Sequence, residues 1–181
     1  MERDVKSVLI TEQELKQICK QLGEQITRDY ADKKLLVVSV LKGAVVFMAD
    51  LLREIKCDCK IDFIAVSSYS GTKTTGVVKF KKDLDIDPDG MDILIIEDIL
   101  DSGVTLSYLS NVLMGRNAKS IKICTLLDKP ANRIADIKAD YVGKVIPDAF
   151  VIGYGLDYNE KYRNLPYVGI LKPSVYEQKG E

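Results

Sequence analysis

The sequence predicts an α/β fold with a mainly parallel central sheet flanked by helices. Short aliphatic, β-branched runs are apolar on both faces, as strands covered on both sides of a parallel sheet must be. Between them lie segments whose apolar residues recur at helical spacing, so strand and helix alternate along the chain. The length of 181 residues suits one domain spanning 1–181 and is ample for a buried core.

The elements follow in order. Thr11-Glu12-Gln13-Glu14 is a capping-box pattern, in which hydroxyl and carboxylate each satisfy an orphan amide. It opens a helix with Leu15, Ile18, Cys19, Leu22 and Ile26 on one face. Leu35 to Leu41 reads as a buried parallel strand, broken by Lys42-Gly43. Ala44 to Ile55 is helical, with Val45, Met48, Ala49 and Leu52 at helical spacing, and Ile61 to Val66 is a strand. Ser67 to Gly76 is rich in Ser, Thr and Gly and reads as a flexible loop, with Val77 to Phe80 a return strand beyond it. Asp83 to Gly90 is an acidic turn. Ile93 to Ile96 is a buried strand and Leu106 to Leu113 the helix after it. Ile121 to Leu127, Tyr141 to Ile146 and Phe150 to Ile152 complete the strands. In sheets of this kind ligands lie outside the C-terminal strand ends, so residues just after each strand are the informative ones.

Composition excludes several chemistries. Twenty-six Lys+Arg against 27 Asp+Glu give a net charge of −1, which argues against a protein that coats nucleic acid. The absence of histidine removes any His-based triad or imidazole metal site, leaving a carboxylate, lysine, tyrosine or cysteine as general base. Cys19, Cys57, Cys59 and Cys124 form no CxxC pair and are expected to be reduced and structural. No signal peptide is read at the N-terminus, and the stretch Leu35 to Leu41 is too short to cross a bilayer. A cytoplasmic location is expected, with neither membrane nor nucleic acid as partner.

The densest chemistry follows Ile96: Glu97-Asp98-Ile99-Leu100-Asp101-Ser102-Gly103-Val104-Thr105. Small residues and hydroxyls open a helix there, where free amides and the positive dipole end favour a phosphate. Gly103 permits close backbone approach. The carboxylates just upstream suit sugar hydroxyls, a divalent cation or a proton to be removed. An acidic run and Asp-Ser-Gly are equally the makings of a solvated turn, so spacing alone leaves the chemistry open. The glycine pattern is neither a Walker loop nor GxGxxG.

Ile95 to Thr105 resembles the PRPP-binding signature of type I phosphoribosyltransferases. Leu41-Lys42-Gly43, Ser67-Ser68-Tyr69, the segment Val151 to Glu160 and Arg163 extend the likeness over nearly the whole chain, toward the hypoxanthine–guanine phosphoribosyltransferases. The resemblance implies transfer of the phosphoribosyl group of PRPP to hypoxanthine or guanine, giving IMP or GMP and pyrophosphate, through an oxocarbenium-like state. Alternatives on the same fold are a xanthine preference and a regulatory protein that binds PRPP without catalysis.

Residue by residue, Asp101 matches the general base that takes the proton from purine N7. Ser102, Gly103, Val104 and Thr105 match the 5′-phosphate cradle, with Val104 where some relatives carry lysine. Glu97 and Asp98 match residues that meet the ribose hydroxyls directly or through Mg²⁺, an ion that prefers a carboxylate plus substrate phosphates to a protein cage. Lys42 and Gly43 match a pyrophosphate-binding turn that often carries a non-proline cis bond, and Arg163 a second pyrophosphate contact. Ser68 and Tyr69 match a loop that closes over PRPP. Lys129 matches the donor to the purine 6-oxo group, Phe150 the stacking ring, Val151 a backbone contact to the base edge, and Asp157 a second metal ligand. The resemblance also implies a small hood, formed by an N-terminal strand and the C-terminal segment, and a homodimer or homotetramer with Ala44–Ile55 as a candidate interface.

Overall fold

Aliphatic runs bounded by helices find their partners in two sheets. The computed structural model describes residues 1–68 and 78–177. The larger sheet contains β2 (Leu35–Leu41), β3 (Cys59–Ser68), β4 (Val78–Lys82), β5 (Asp92–Leu100), β6 (Ser120–Asp128) and β7 (Tyr141–Val145), in the order β4-β3-β2-β5-β6-β7. All its pairs are parallel except β3 with β4. The smaller sheet joins β1 (Val5–Ile10), β9 (Val168–Leu171) and β8 (Val151–Ile152), in that order and antiparallel. Helices are α1 (Glu12–Tyr30), α2 (Val45–Glu54), α3 (Val104–Met114) and α4 (Pro173–Tyr176). Among the described residues no helix is long and apolar enough to cross a membrane.

The doubly apolar strands are explained by two cores, one on each face. Leu94 and Ile96 pack with Leu15, Leu22, Phe47 and Leu51 of α1 and α2. Ile93 and Ile95 pack with Leu106, Leu109 and Leu113 of α3. The capping box at Thr11 is present, with Thr11 N–H donating to Glu14 Oε2 at 2.8 Å and Glu14 N–H to Thr11 Oγ1 at 3.2 Å.

Three expectations are corrected. Ser67 and Ser68 belong to β3 rather than a loop, because Lys79 and Val78 of β4 pair with them. Tyr69 lies outside the described residues. The strand ending at Ile96 continues to Leu100, because β6 pairs with it as far as Leu100↔Asp128. On its other side β5 loses β2 after Ser39↔Ile96. Glu97 and Asp98 are therefore strand residues whose β2 flank is open. Here the strand order runs outward in both directions, from β2 to β3 and from β5 to β6, which is the switch point where open α/β sheets bind ligands. The strands β1 and β9, absent from the apolar pattern, form most of the small sheet; the exposed Val8 and the glycine Gly169 weaken their periodicity.

Candidate active site

At the open flank of β5 a cavity of about 270 Å³ is lined by Asp98, Ile99, Asp101, Lys129, Ala149, Phe150, Val151, Leu156 and Asp157. It gathers every residue expected at the base, and two of the expected acids, from four stretches of chain. Lys129 follows β6 and is 8% exposed. Its ammonium lies 3.1 Å from Asp101 Oδ2 and 3.4 Å from Asp148 Oδ1. Asp101 Oδ1 is buried with no hydrogen-bond partner among the described residues. A buried carboxylate oxygen in that condition is costly unless something else comes to it, and here it borders the cavity.

Phe150 is 39% exposed, an uncommon state for a phenyl ring flanked by two others. Tyr176 stacks on it at 5.1 Å and 23°, and Tyr158 meets it edge-on at 5.4 Å. Val151, by contrast, is buried in β8 and fixed through its pairing with Ile170.

Next to the cavity, α3 begins. Gly103 is its N-cap with φ +79, a conformation that glycine adopts without strain. It offers no side-chain cap, and no acid sits in the first turn; the Val104 N–H meets Ser102 Oγ at 3.5 Å, and the amides of Thr105 and Leu106 remain available to an anion. Ser102 and Thr105 flank this turn. Val104 is 38% exposed and brings no charge.

On the β2 side the Leu41–Lys42 peptide is cis. A Cβ on Gly43 would fall inside the Asp98 carboxylate, and one on Gly155 (φ +103) would strike the Gly43 carbonyl. Arg163 Nη1 donates to Gly155 O at 2.8 Å, and Arg163 Nη2 pairs with Asp157 Oδ1 at 2.9 Å and Glu160 Oε1 at 3.4 Å. Arg163 Nε is buried without a partner among the described residues. Lys42 reaches Glu160 Oε2 at 2.9 Å, an exposed pair. Two cations therefore border the acids from the side opposite α3.

Burial pushes the Asp98 carboxyl up to about 6; the Ile99 N–H and Arg163 pull against that rise, and Asp157 adds to it. Burial, with the Asp98 charge beside it, holds Glu97 well above the usual carboxylate range. Among the described residues neither acid has an ion-pair partner. Such carboxylates suit a cation or hydroxyl donors brought by a ligand. Asp157 is less free: Arg163 takes Oδ1 and the Glu160 N–H takes Oδ2 at 2.9 Å. No group of three potential metal ligands occurs among the described residues, so a closed metal cage is not built here. Glu97 does not line the cavity, and Ser68 is the last residue of β3.

The sequence reading missed Asp128, Arg133, Asp148, Gly155 and Glu160. Arg133 is the most engaged, donating to the Asp101, Ile137 and Leu100 carbonyls and pairing with Asp128. A single arginine in a turn gives no periodic signal, whereas the glycine of Gly153-Tyr154-Gly155 between apolar residues could have suggested a close backbone approach.

Comparison with known proteins agrees with this arrangement. Residues 7–159 match the phosphoribosyl transferase domain family. A hypoxanthine-guanine phosphoribosyltransferase of Bacillus subtilis (strain 168) is 58% identical over 178 residues, covering 98% of this chain and 99% of the relative. The crystal structure of a hypoxanthine phosphoribosyltransferase from Staphylococcus aureus superposes with a TM-score of 0.95 at 54% identity, covering 98% and 97% of the two chains. A hypoxanthine-guanine phosphoribosyltransferase from Bacillus anthracis superposes at 0.88 with 47% identity, covering 93% and 98%. The cavity at the switch point, the open helix start beside it and this likeness from end to end converge: the chain belongs to the phosphoribosyl transferase family, among its hypoxanthine-guanine phosphoribosyltransferases.

Proposed function

We propose that this cavity takes a 6-oxopurine and that the chain joins it to the ribose of PRPP, releasing pyrophosphate and giving IMP or GMP. As a member of its family the chain is a pentosyl-transferring enzyme of purine salvage. The observation that carries the reading is the assembly of Lys129, Phe150, Val151 and Asp157 around one cavity with Asp98 and Asp101.

Each step needs a group that this arrangement supplies. Phe150 gives the purine a ring to lie against, already held at a fixed tilt by Tyr158 and Tyr176. Lys129 donates to a 6-oxo acceptor and finds nothing to donate to on a 6-amino group, which disfavours adenine. Asp101 takes the proton from N7 as N9 attacks, its buried Oδ1 being the open acceptor. Ser102 to Thr105 hold the 5′-phosphate through helix-start amides and hydroxyls. Lys42, Gly43 and Arg163 hold the departing pyrophosphate, Arg163 exchanging the carboxylates it now meets for phosphate oxygens. Glu97 and Asp98 fit the ribose hydroxyls and Mg²⁺, because their raised proton affinity marks them as acids awaiting a cation. These acids, with the substrate phosphates, would hold Mg²⁺, which would supply positive charge against the pyrophosphate. Asp157 would join that set by giving up Arg163. Ser68, at the end of β3, and Tyr69, which follows it, are assigned to covering PRPP.

The small sheet is read as the hood of a single domain, carrying Val151 over the base. A homodimer or homotetramer through the Ala44–Ile55 region and a cytoplasmic location complete the reading, the former checked by sedimentation. The deciding experiment follows pyrophosphate release with Mg²⁺, PRPP and each of hypoxanthine, guanine, xanthine and adenine. Turnover of the first two is expected; fast turnover of adenine alone would overturn the base assignment. Asp101→Asn is expected to keep PRPP binding while kcat falls by roughly 10²–10⁴, the range for a lost general base. An unimpaired Asp101→Asn chain would remove that assignment.

A further inference from the structure

Three consecutive carbonyls at the end of β5 accept hydrogen bonds, and every donor comes from the segment 129–135. Leu100 O accepts from Lys129 N–H at 3.0 Å and from Arg133 Nη2 at 3.1 Å. Asp101 O accepts from Arg133 Nε at 2.8 Å. Ser102 O accepts from Ile134 N–H at 2.9 Å and Ala135 N–H at 3.0 Å. Arg133 is fixed in turn, through Nη1 to Ile137 O at 2.8 Å and through Nη2 to the Asp128 carboxylate. Its side chain is only 18% exposed. Gly103 closes on the same segment, since a Cβ there would meet Ile137 Cγ2 at 2.6 Å and Arg133 Cδ at 3.1 Å.

The fork geometry matters. A planar guanidinium reaches three carbonyls and a carboxylate at set angles, which a lysine ammonium cannot do from one position. Bonds from a charged donor are also the strong ones, and removing the donor leaves the part-buried Asp101 and Ile137 carbonyls without it, while Leu100 O keeps the Lys129 N–H. Carbonyl oxygens repel phosphate. Arg133 occupies the Leu100 and Asp101 carbonyls and the Ile134 and Ala135 amides occupy that of Ser102, which turns these negative ends away from the start of α3, where the amides of Thr105 and Leu106 are left for an anion.

We infer that Arg133 is a positioning residue, a guanidinium clamp that sets the backbone of Leu100 and Asp101 and, through the adjoining Ile134 and Ala135 amides, that of Ser102, and so holds base and phosphate cradle in one geometry. The inference rests on the roles proposed above for Asp101 and Ser102–Thr105. It touches neither substrate and acts only through that turn.

The test compares Arg133→Lys, Arg133→Ala and Asp101→Asn in the full chain, with melting temperature and near-UV circular dichroism recorded for each. Arg133→Lys keeps the charge and loses the fork; it should lower kcat by roughly 10- to 100-fold, the cost of about an ångström of misplacement. The KM for PRPP should rise several-fold and that for hypoxanthine stay near wild type, because Phe150 and Val151 are held by other elements. Guanidinium chloride at millimolar concentration should restore part of the kcat of Arg133→Ala, whereas equal methylammonium or sodium chloride should not. Wild-type kcat in Arg133→Lys beside an impaired Asp101→Asn overturns the clamp alone. So does a loss of rate that only tracks the folded fraction. An unimpaired Asp101→Asn overturns the underlying reading instead. If Arg133→Ala does not fold, the kcat and KM of Arg133→Lys still decide.

Discussion

Asp98 shows how one residue serves two ends. It lies against Gly43 so closely that no side chain fits between them, and burial lifts its carboxyl to about 6 from an ordinary 3.8. For an acid so shifted the folded chain binds the proton more tightly than the unfolded one. Stability is therefore given up as pH rises from about 3.8 through about 6, and the loss is complete above that. Asp98→Asn should raise the melting temperature of the ligand-free chain at pH 8, by roughly 2–4 °C, the shift that about 1 kcal/mol makes at this size. The gain should shrink as pH falls toward 4, and scanning calorimetry at pH 4, 6 and 8 measures it. A gain that is flat with pH would contradict the assignment. The same change should weaken PRPP binding, since the acid that costs stability is the one offered to the ligand. Lys42 and Glu160, by contrast, form an exposed pair, and such pairs contribute little to stability.

At the scale of elements, the site is made where pairing stops. β5 runs four residues past its last partner on β2, and the gap is bridged by the Lys42-Gly43 turn, which rests on Gly155 of the segment before β9. Two backbones meet there with no side chain between them. Gly155→Ala would put a Cβ into the Gly43 carbonyl and an alanine at φ +103, a strain of roughly 1–3 kcal/mol before the clash is counted. The expected outcome is a lower melting temperature together with a raised KM for PRPP, because the Lys42-Gly43 turn, proposed to hold pyrophosphate, must move to make room. Thermal melts and steady-state kinetics on the variant check both. A stable variant with wild-type KM would mean that the turn and the segment are not coupled.

At the scale of the whole molecule, the cavity proposed for the purine lies between two sheets. The parallel sheet supplies Asp98, Asp101 and Lys129, whereas Phe150 and Val151 come from the small sheet and its approach. That sheet depends on β1, which pairs with β9 along Val5↔Leu171 to Ile10↔Val168 and ties the C-terminal segment through Lys172 N–H to Asp4 O at 2.9 Å. Without β1, two short strands remain, too few to stand alone. Removing Met1–Val8, which spares Ile10 and the capping box at Thr11, should leave the parallel sheet folded and PRPP binding near wild type. Affinity for hypoxanthine should fall about tenfold or more, as a lost 1.4 kcal/mol or greater would produce. Calorimetric titration with each substrate separates the two; equal loss of both would show that the sheets do not divide the labour.

What the sequence by itself determined is the class of fold and the place in the chain where a helix opens on small residues. Doubly apolar runs such as Leu35–Leu41 have only one economical home, a sheet covered on both faces, and small residues at a helix start carry their own amides wherever the helix goes. The resemblance then named residues such as Lys129, Phe150 and Asp157 that composition alone would have left in a turn or a core. Only the tertiary structure decided that β5 continues through Glu97 and Asp98, because that depends on β6 still pairing where β2 has left. It alone brought Arg133 onto the carbonyls of Leu100 and Asp101, some thirty residues away in sequence. It also engaged both oxygens of Asp157 with Arg163 and Glu160. Local pattern records what each segment must bury or cap; which distant donor reaches which carbonyl is settled only when the layers close.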